Sequence, residues 1–237
     1  MIAVGDGDTA ALYWKLLHDE IRRRTNRRQS ARIVAESLDW ADFIDPRGDD
    51  GSFVRTRRRL TEAARRLVKQ GAEGILLCGG PLHVHADAVR AALDEPVLHI
   101  AMATAEKLHS LQLGPAALLG PDRSTGEEKR WLAVLVEGGI RRTVHMSELD
   151  RTFVHDRLQR GLTAGTVTDE LRAAFTRLSV DLKHGGARII VLTRPELACA
   201  LREEDSALPT LCAVQAHCEQ VARFALEPES KLASAGG

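Results

Sequence analysis

Two stretches of the chain align with each other without a gap. Gly71-Ala-Glu-Gly-Ile-Leu-Leu-Cys-Gly-Gly-Pro-Leu82 matches Gly186-Ala-Arg-Ile-Ile-Val-Leu-Thr-Arg-Pro-Glu-Leu197. Each begins with Gly-Ala, continues through an apolar strand and is interrupted by Gly or Pro before the next helix. Pro96 and Pro209 each precede another short apolar segment, at nearly matching distances. The repetition predicts a duplicated domain with pseudo-twofold symmetry.

The rest of the chain alternates short apolar segments with helical patterns. We expect strands near 1–4, 32–38, 74–78, 96–100, 115–119, 188–192 and 209–211, and helices near 9–24, 52–70, 83–93, 103–111, 126–137, 149–160, 167–184 and 213–226. Strands that alternate with helices are typical of parallel sheets covered on both faces. The prediction is an α/β fold with residues 1–102 plus 213–237 in the first domain and 103–212 in the second. Ligands of such sheets bind at the carboxyl ends of the strands, which places the expected site in a cleft between the domains.

Composition excludes several classes of protein. The 237 residues include 33 basic and 33 acidic ones, so no net charge attracts nucleic acid or an anionic membrane. The sequence has no signal peptide and no apolar run long enough to span a bilayer. Its four cysteines include no Cys-x-x-Cys pair. We therefore expect a cytoplasmic protein with reduced thiols.

Several segments, in their order along the chain, resemble the aspartate/glutamate racemase family. They are Thr9–Leu17, Ser37–Phe43, Gly71–Ala86, His99–Ala101, Leu118–Gly120 and the late His217. The resemblance covers nearly the whole chain and implies two pseudo-symmetric Rossmann-like domains. It also implies cofactor-independent isomerase chemistry, without pyridoxal phosphate, on a small carboxylate-bearing or amino-acid-like ligand. Family members are often dimers, so the resemblance allows a homodimer, which the sequence itself does not show.

The chain departs from this family at both positions where catalytic thiols are expected. Gly79 takes the first position, and Gly80-Pro81 replaces an Asn-Thr pair that binds substrate carboxylate in the family. Arg194 takes the second. Glycine has no side chain, and a guanidinium stays protonated, so neither residue removes a proton from carbon. A shift of one residue would place Cys78 at the first position, but no thiol would stand opposite it.

Three other residues are candidates for proton transfer. His83 and His217 match histidines of the family, and imidazole titrates near neutral pH. Asp8 follows the first strand, although it could instead cap the helix that begins there. His83 and His85 form a His-x-His pair, but metal binding would need a third ligand that the sequence does not identify.

A second group of residues is expected to bind the substrate. Arg194 would hold a carboxylate in bidentate fashion, or it would form an ion pair with Glu196. Gly79 and Gly80 would allow close approach of the ligand to backbone N–H groups. Ser124 supplies a hydroxyl where the family often has threonine.

Two functions follow from the resemblance and the departures. The first is a divergent enzyme of this superfamily that performs isomerase or lyase chemistry through a carbanion without two thiols. The alternative is a catalytically silent homologue, a pseudoenzyme, that binds a ligand or a protein partner. The substrate and the reaction type are open in both cases.

Overall fold

The computed structural model describes residues 1–4, 7–39, 51–121, 126–162 and 166–227. The chain divides into two compact units. The first unit contains Met1–His99 and His217–Gly237, and the second contains Ile100–Ala216. Within the described ranges, no helix is both long and apolar enough to cross a lipid bilayer.

The described part of the first unit contains four short parallel strands. In chain order its elements are β1 (Ile2–Val4), α1 (Asp8–Arg24), β2 (Glu36–Leu38), α2 (Gly51–Lys69), β3 (Ile75–Leu76), a 3₁₀ helix (Gly80–His85), α3 (Ala86–Arg90) and β4 (Val97–Leu98). β1 pairs with β2 and β3 pairs with β4. A parallel bridge between Ile2 and Leu77 joins the two pairs, so the strand order is β2-β1-β3-β4.

The core of the first unit is built by the periodicity of α2. Leu60, Ala63, Ala64 and Leu67 follow the i, i+3, i+4, i+7 pattern of one helix face and are all buried. They belong to one apolar cluster with Ile75 of β3. Burying a leucine side chain of this kind contributes about 1.5–3 kcal/mol, so this face fixes the helix against the sheet.

The second unit repeats the arrangement with longer strands. Its elements are α4 (Ile100–Leu111), β5 (Ala116–Leu119), α5 (Glu127–Glu137), β6 (Thr143–Val144), α6 (Glu148–Gln159), α7 (Asp169–His184), β7 (Ile189–Leu192), α8 (Leu197–Ala200), a 3₁₀ helix (Glu203–Asp205), β8 (Thr210–Cys212) and the start of α9 (Ala213–Leu226). The strands are parallel in the order β6-β5-β7-β8. From His217 onward α9 belongs to the first unit.

The two strand orders are the same when β5 to β8 are matched in sequence to β1 to β4. The stretches that align in the sequence contain β3 and β7, and the following Pro segments lead into β4 and β8. The predicted α/β fold with two similar parallel-sheet units is therefore confirmed.

Local differences from the prediction have physical causes. β6 and α8 were not expected, because two and four residues are too short to show periodicity. The strand expected over 32–38 is limited to Glu36–Leu38. The helix expected from His83 begins instead as a 3₁₀ helix with Pro81 in its first turn. Asp8 is not the N-cap of α1, because Gly7 takes that position with φ 88° and offers no side chain.

Candidate functional site

Buried aromatic and imidazole side chains meet where the strands of the first unit end. Tyr13 lies on α1, which follows β1, and His83 lies on the 3₁₀ helix that follows β3. His99 comes directly after β4, and His217 lies on α9. All four side chains are buried. We call Tyr13, His83, His99 and His217 the histidine cluster.

The contacts of His83 determine which of its ring nitrogens is basic. Nε2 lies 3.1 Å from the carbonyl oxygen of Leu77, and a carbonyl only accepts hydrogen bonds. Nε2 therefore carries the hydrogen, and a neutral His83 has its lone pair at Nδ1. The ring contacts His99 and His217 at centroid distances of 4.5 and 5.2 Å. His83 is 2% exposed, so this orientation is held by packing on several sides.

His217 is fixed in the same tautomer, but both of its nitrogens bind protein groups. Nε2 donates to the carbonyl oxygen of Leu98 at 2.9 Å. Nδ1 accepts from the Tyr13 hydroxyl at 3.0 Å. Burial lowers the pKa of His217 to about 3, the Leu98 hydrogen bond raises it, and the nearby His99 lowers it further. His217 is therefore a neutral, fully hydrogen-bonded side chain at neutral pH.

The Gly79-Gly80 segment forms the turn that leaves β3. Gly79 has φ 94° and ψ 146°, a conformation that side-chain-bearing residues rarely adopt. A Cβ there would lie 3.7 Å from Cγ2 of Thr9, which is ordinary contact. A side chain at this position is therefore disfavoured by the backbone angle and not by lack of space. The Gly79 N–H is directed at the Tyr13 hydroxyl over a long 3.5 Å. Gly80 is buried and begins the 3₁₀ helix.

In the second unit, Arg194 follows β7 and binds a buried carboxylate. Its Nη2 lies 3.0 Å from Oε2 of Glu127, the first residue of α5. The Arg194 side chain is 25% exposed, whereas that of Glu127 is only 1% exposed. The amino end of a helix favours a negative charge, which adds to the stabilisation of Glu127. Arg194 therefore already neutralises one anion of the protein.

The absence of a side chain at Gly120 leaves space for the Arg194 side chain. Gly120 ends β5 with φ 109°. A Cβ at this position would lie 2.8 Å from Leu197, 3.0 Å from the Thr193 hydroxyl and 3.1 Å from Cγ of Arg194. The Thr193 hydroxyl in turn donates to the carbonyl oxygen of Leu119 at 3.0 Å.

Glu196 is not the partner of Arg194 that the sequence suggested. It is the N-cap residue of α8, and its charge acts on Cys212 at the end of β8. Burial raises the pKa of Cys212 and the charge of Glu196 adds to this, while the backbone N–H groups of Gln215 and Val214 oppose it. Arg194 instead forms an ion pair with Glu127. Glu127 is 67 residues away in the chain, so the sequence did not indicate this pair.

Cys78 lies beside the first expected thiol position but is not activated. Burial raises its pKa to about 12, and the nearby amino terminus opposes that shift only weakly. Its environment therefore holds it as a neutral thiol.

The other expected site residues fall elsewhere. Asp8 is exposed on the first turn of α1. Ser124 lies outside the described residues. His85 packs on Phe53 with ring centroids 4.3 Å apart, and burial lowers its pKa to about 4, with Arg57 adding to the shift. Among the described residues, no group of three or more His, Cys, Asp or Glu side chains is arranged to hold a metal ion.

Comparisons with known proteins agree with this architecture. The family model for Asp/Glu/hydantoin racemases matches residues 7–221. The chain belongs to this racemase family.

Solved structures show the same fold in other racemase-family proteins. A Yersinia pestis protein assigned to the Asp/Glu racemases is 24% identical, with a TM-score of 0.85 over 95% of this chain and 99% of that one. An aspartate racemase homologue from Pyrococcus horikoshii is 21% identical, with a TM-score of 0.78 over 95% and 99%. Arylmalonate decarboxylase is 18% identical, with a TM-score of 0.53 over 96% and 93%. The family thus includes proteins named for racemisation, and the fold is shared with one named for decarboxylation.

Sequence reasoning missed three side chains in this racemase-family chain. The sequence indicated Tyr13 only as part of a helix pattern. It indicated His99 only as part of a segment that resembles the family. Glu127 was treated as an ordinary helix residue. One signal was available for His99, because it lies near the carboxyl end of the strand predicted over 96–100, where ligand-facing residues of α/β sheets are found.

Proposed function

We propose that this protein is a divergent racemase-family enzyme that removes or delivers a proton at carbon next to a carboxylate, without a pair of thiols. The reaction would be an isomerisation or a lyase reaction on a small carboxylate-bearing substrate, without a cofactor. The observation that carries this proposal is His83, whose Nε2–H bond to Leu77 leaves Nδ1 as the basic nitrogen at the end of β3. Histidine is the side chain that most often transfers protons in enzymes.

His83 is preferred over the two other candidate proton-transfer groups. Both nitrogens of His217 bind protein groups, so protonation there would have to break the bond from Tyr13. Its role in the proposed reaction is to hold the histidine cluster in place. Asp8 is exposed on the first turn of α1, outside the buried histidine cluster, so it is the second candidate base.

Arg194 is the proposed binding group for the substrate carboxylate. Its hydrogen bond to Glu127 uses one of the five N–H donors of the guanidinium, so most of these donors can still bind a substrate carboxylate. Glu127 orients the guanidinium and also weakens its attraction for a second anion. Gly79 and Gly80 at the end of β3 would supply backbone contacts, and Glu196 and Ser124 are the further polar candidates.

The test is proton exchange in D₂O, followed by proton NMR with stoichiometric protein and a panel of amino acids, dicarboxylic acids and arylmalonates. Loss of an α-proton signal, or of the starting malonate, shows carbon-acid chemistry. His83→Gln should reduce that rate at least 100-fold. His155→Gln is the matched control, because His155 is exposed on α6. Equal rates in both variants would contradict the role of His83.

A catalytically silent homologue is the second candidate function. It is favoured by the ion pair between Arg194 and Glu127, because a guanidinium bound to the protein's own carboxylate has less need of a ligand. In the same NMR panel, a silent binder would broaden ligand lines without exchange. Exchange catalysed by the wild-type protein and lost in His83→Gln would exclude it.

A further inference from the structure

A concave surface lies in the second unit at the end of the sheet opposite Arg194. It is open to solvent and has a volume of about 400 Å³, within the range of small-molecule sites. The described residues that line it are Pro115, Arg142, Thr143, Val144, His145, Gly185 and Gly186. We call it the amino-end cavity.

The register of the strands places this cavity. Ala116 of β5 pairs with Thr143 of β6, so Pro115 and Arg142 lie side by side just before their strands. Gly120 and Arg194 follow the opposite ends of β5 and β7. Four strand residues span about 13 Å, so a ligand in the amino-end cavity does not touch Arg194.

Two glycines shape the cavity wall after α7. A Cβ at Gly185 would lie 3.2 Å from Cγ1 of Val144, so glycine lets the helix end approach β6 closely. Gly186 has φ 95°, and a Cβ there would meet nothing within 4 Å. The backbone at Gly186 is therefore open on the side where a side chain would stand.

The ionisable groups that line the cavity are both potential cations. Arg142 is exposed and forms no ion pair with any other residue in the described ranges. His145 lies 3.9 Å from Glu128, but that carboxylate is already bound by Arg151 at 2.5 Å. Among the described residues, none that lines the cavity carries a carboxylate.

Besides the Glu128 carboxylate 3.9 Å from His145, the carboxyl end of α7 opposes an anion here. Its last carbonyls are occupied, because Gly186 and Ala187 donate to Lys183 and Leu182 at 3.0 Å. The carboxyl end of a helix carries about half a negative charge, and its effect falls off within the last turn. The Arg142 guanidinium carries a full positive charge, so the attraction for an anion exceeds the repulsion.

We propose that the amino-end cavity binds a small organic anion. Arg142 and His145 would hold its carboxylate or phosphate group, and Pro115 and Val144 would contact its apolar part. This site is separate from the proposed reaction, and its test does not depend on whether the protein is an enzyme.

The experiment is a ¹H–¹⁵N NMR titration with phenyl phosphate, benzoate, inorganic phosphate and benzyl alcohol. We expect saturable shifts of the Thr143, Gly185 and Gly186 amides with phenyl phosphate or benzoate. The stronger of these two ligands identifies the anionic group. Inorganic phosphate and benzyl alcohol should bind at least 5-fold more weakly, because each lacks one of the two parts.

Arg142→Ala should weaken binding at least 10-fold, whereas Arg141→Ala, an adjacent exposed arginine outside the cavity lining, should change it less than twofold. Equal losses in both variants would show attraction by surface charge alone and would overturn the proposal. Shifts at Gly120 and Thr193 in place of the cavity amides, or no saturable shift with any probe, would overturn it as well.

Discussion

The hydroxyl of Tyr13 lies 3.0 Å from Nδ1 of His217, although 204 residues separate them in the chain. Because Nε2 of His217 donates to Leu98, Nδ1 must accept, and the Tyr13 hydroxyl is the donor. This hydrogen bond connects α1, the first helix of the first unit, to α9, its last helix. The same hydroxyl lies 3.5 Å from the Gly79 N–H, so the turn after β3 is within its reach.

Removing this hydroxyl should destabilise the protein. Tyr13→Phe leaves the buried Nδ1 of His217 without its donor, which typically costs about 1–3 kcal/mol. Urea unfolding measures the change in the free energy of unfolding. Trp14→Phe on the same helix is the control and should change it by less than about 0.5 kcal/mol, because Trp14 is 45% exposed. Equal effects of the two variants would rule out the buried hydrogen bond as the cause.

Stability should fall between pH 7 and pH 5 because of His217. Its folded pKa is about 3, against about 6.5 in the unfolded chain, so the unfolded state binds the proton first. The stabilisation is fully present above about pH 6.5 and is lost progressively as the pH falls toward 3. At pH 5 the expected loss is about 2 kcal/mol. The lowered pKa of His85 acts in the same direction.

A variant isolates the contribution of His217 to this slope. His217→Gln keeps one donor and one acceptor but does not titrate, so the free energy of unfolding should change less between pH 7 and 5. His155→Gln should keep the wild-type slope, because His155 is exposed on α6. An unchanged slope in His217→Gln would contradict the lowered pKa. The measurement is chemical denaturation at several pH values.

The sequence predicted most of the two sheets because their strands are mainly short, apolar and followed by a helix, although the two-residue β6 was not expected. The likeness of the segments around β3 and β7 further predicted that the units share one topology. The sequence could not predict which side chains meet at the strand ends. Tyr13 and His217 come together only through tertiary packing, and Arg194 binds Glu127 and not the nearby Glu196. Such partners depend on side-chain directions, which no periodicity encodes.

Gly120 and Gly126 allow a matched test of the packing around Arg194. Both have positive φ, 109° and 79°, but only at Gly120 would a Cβ overlap other atoms. Gly126→Ala should cost about 1–2 kcal/mol for the left-handed backbone. Gly120→Ala should cost about 1–3 kcal/mol more, because Leu197 and Arg194 would have to move. Thermal unfolding of both variants gives the difference, and equal costs would mean that the overlap relaxes freely.

Arg194 and Glu127 should be strongly coupled in a double-mutant cycle. Arg194→Ala removes the guanidinium that binds the buried carboxylate of Glu127, and this costs about 2–4 kcal/mol after allowance for the partial exposure of Arg194. Glu127→Gln removes the buried charge and should cost less. The double variant should therefore be more stable than Arg194→Ala alone. Additive free energies of unfolding would show that the two side chains do not stabilise each other.

The four cysteines should differ in reactivity in a way that tests the thiol-free proposal. Cys78 and Cys218 are buried, whereas Cys199 and Cys212 are partly accessible. With a pKa of about 12, a fraction on the order of 10⁻⁴ of the Cys78 side chains is in the thiolate form at pH 8. Iodoacetamide should therefore modify Cys199 and Cys212 first, and mass spectrometry of the folded protein shows the order. Rapid modification of Cys78 would contradict its burial and would reopen a thiol mechanism at the end of β3. Cys78→Ser is the matching variant for the exchange assay, and full proton exchange in it would show that the reaction proceeds without that thiol.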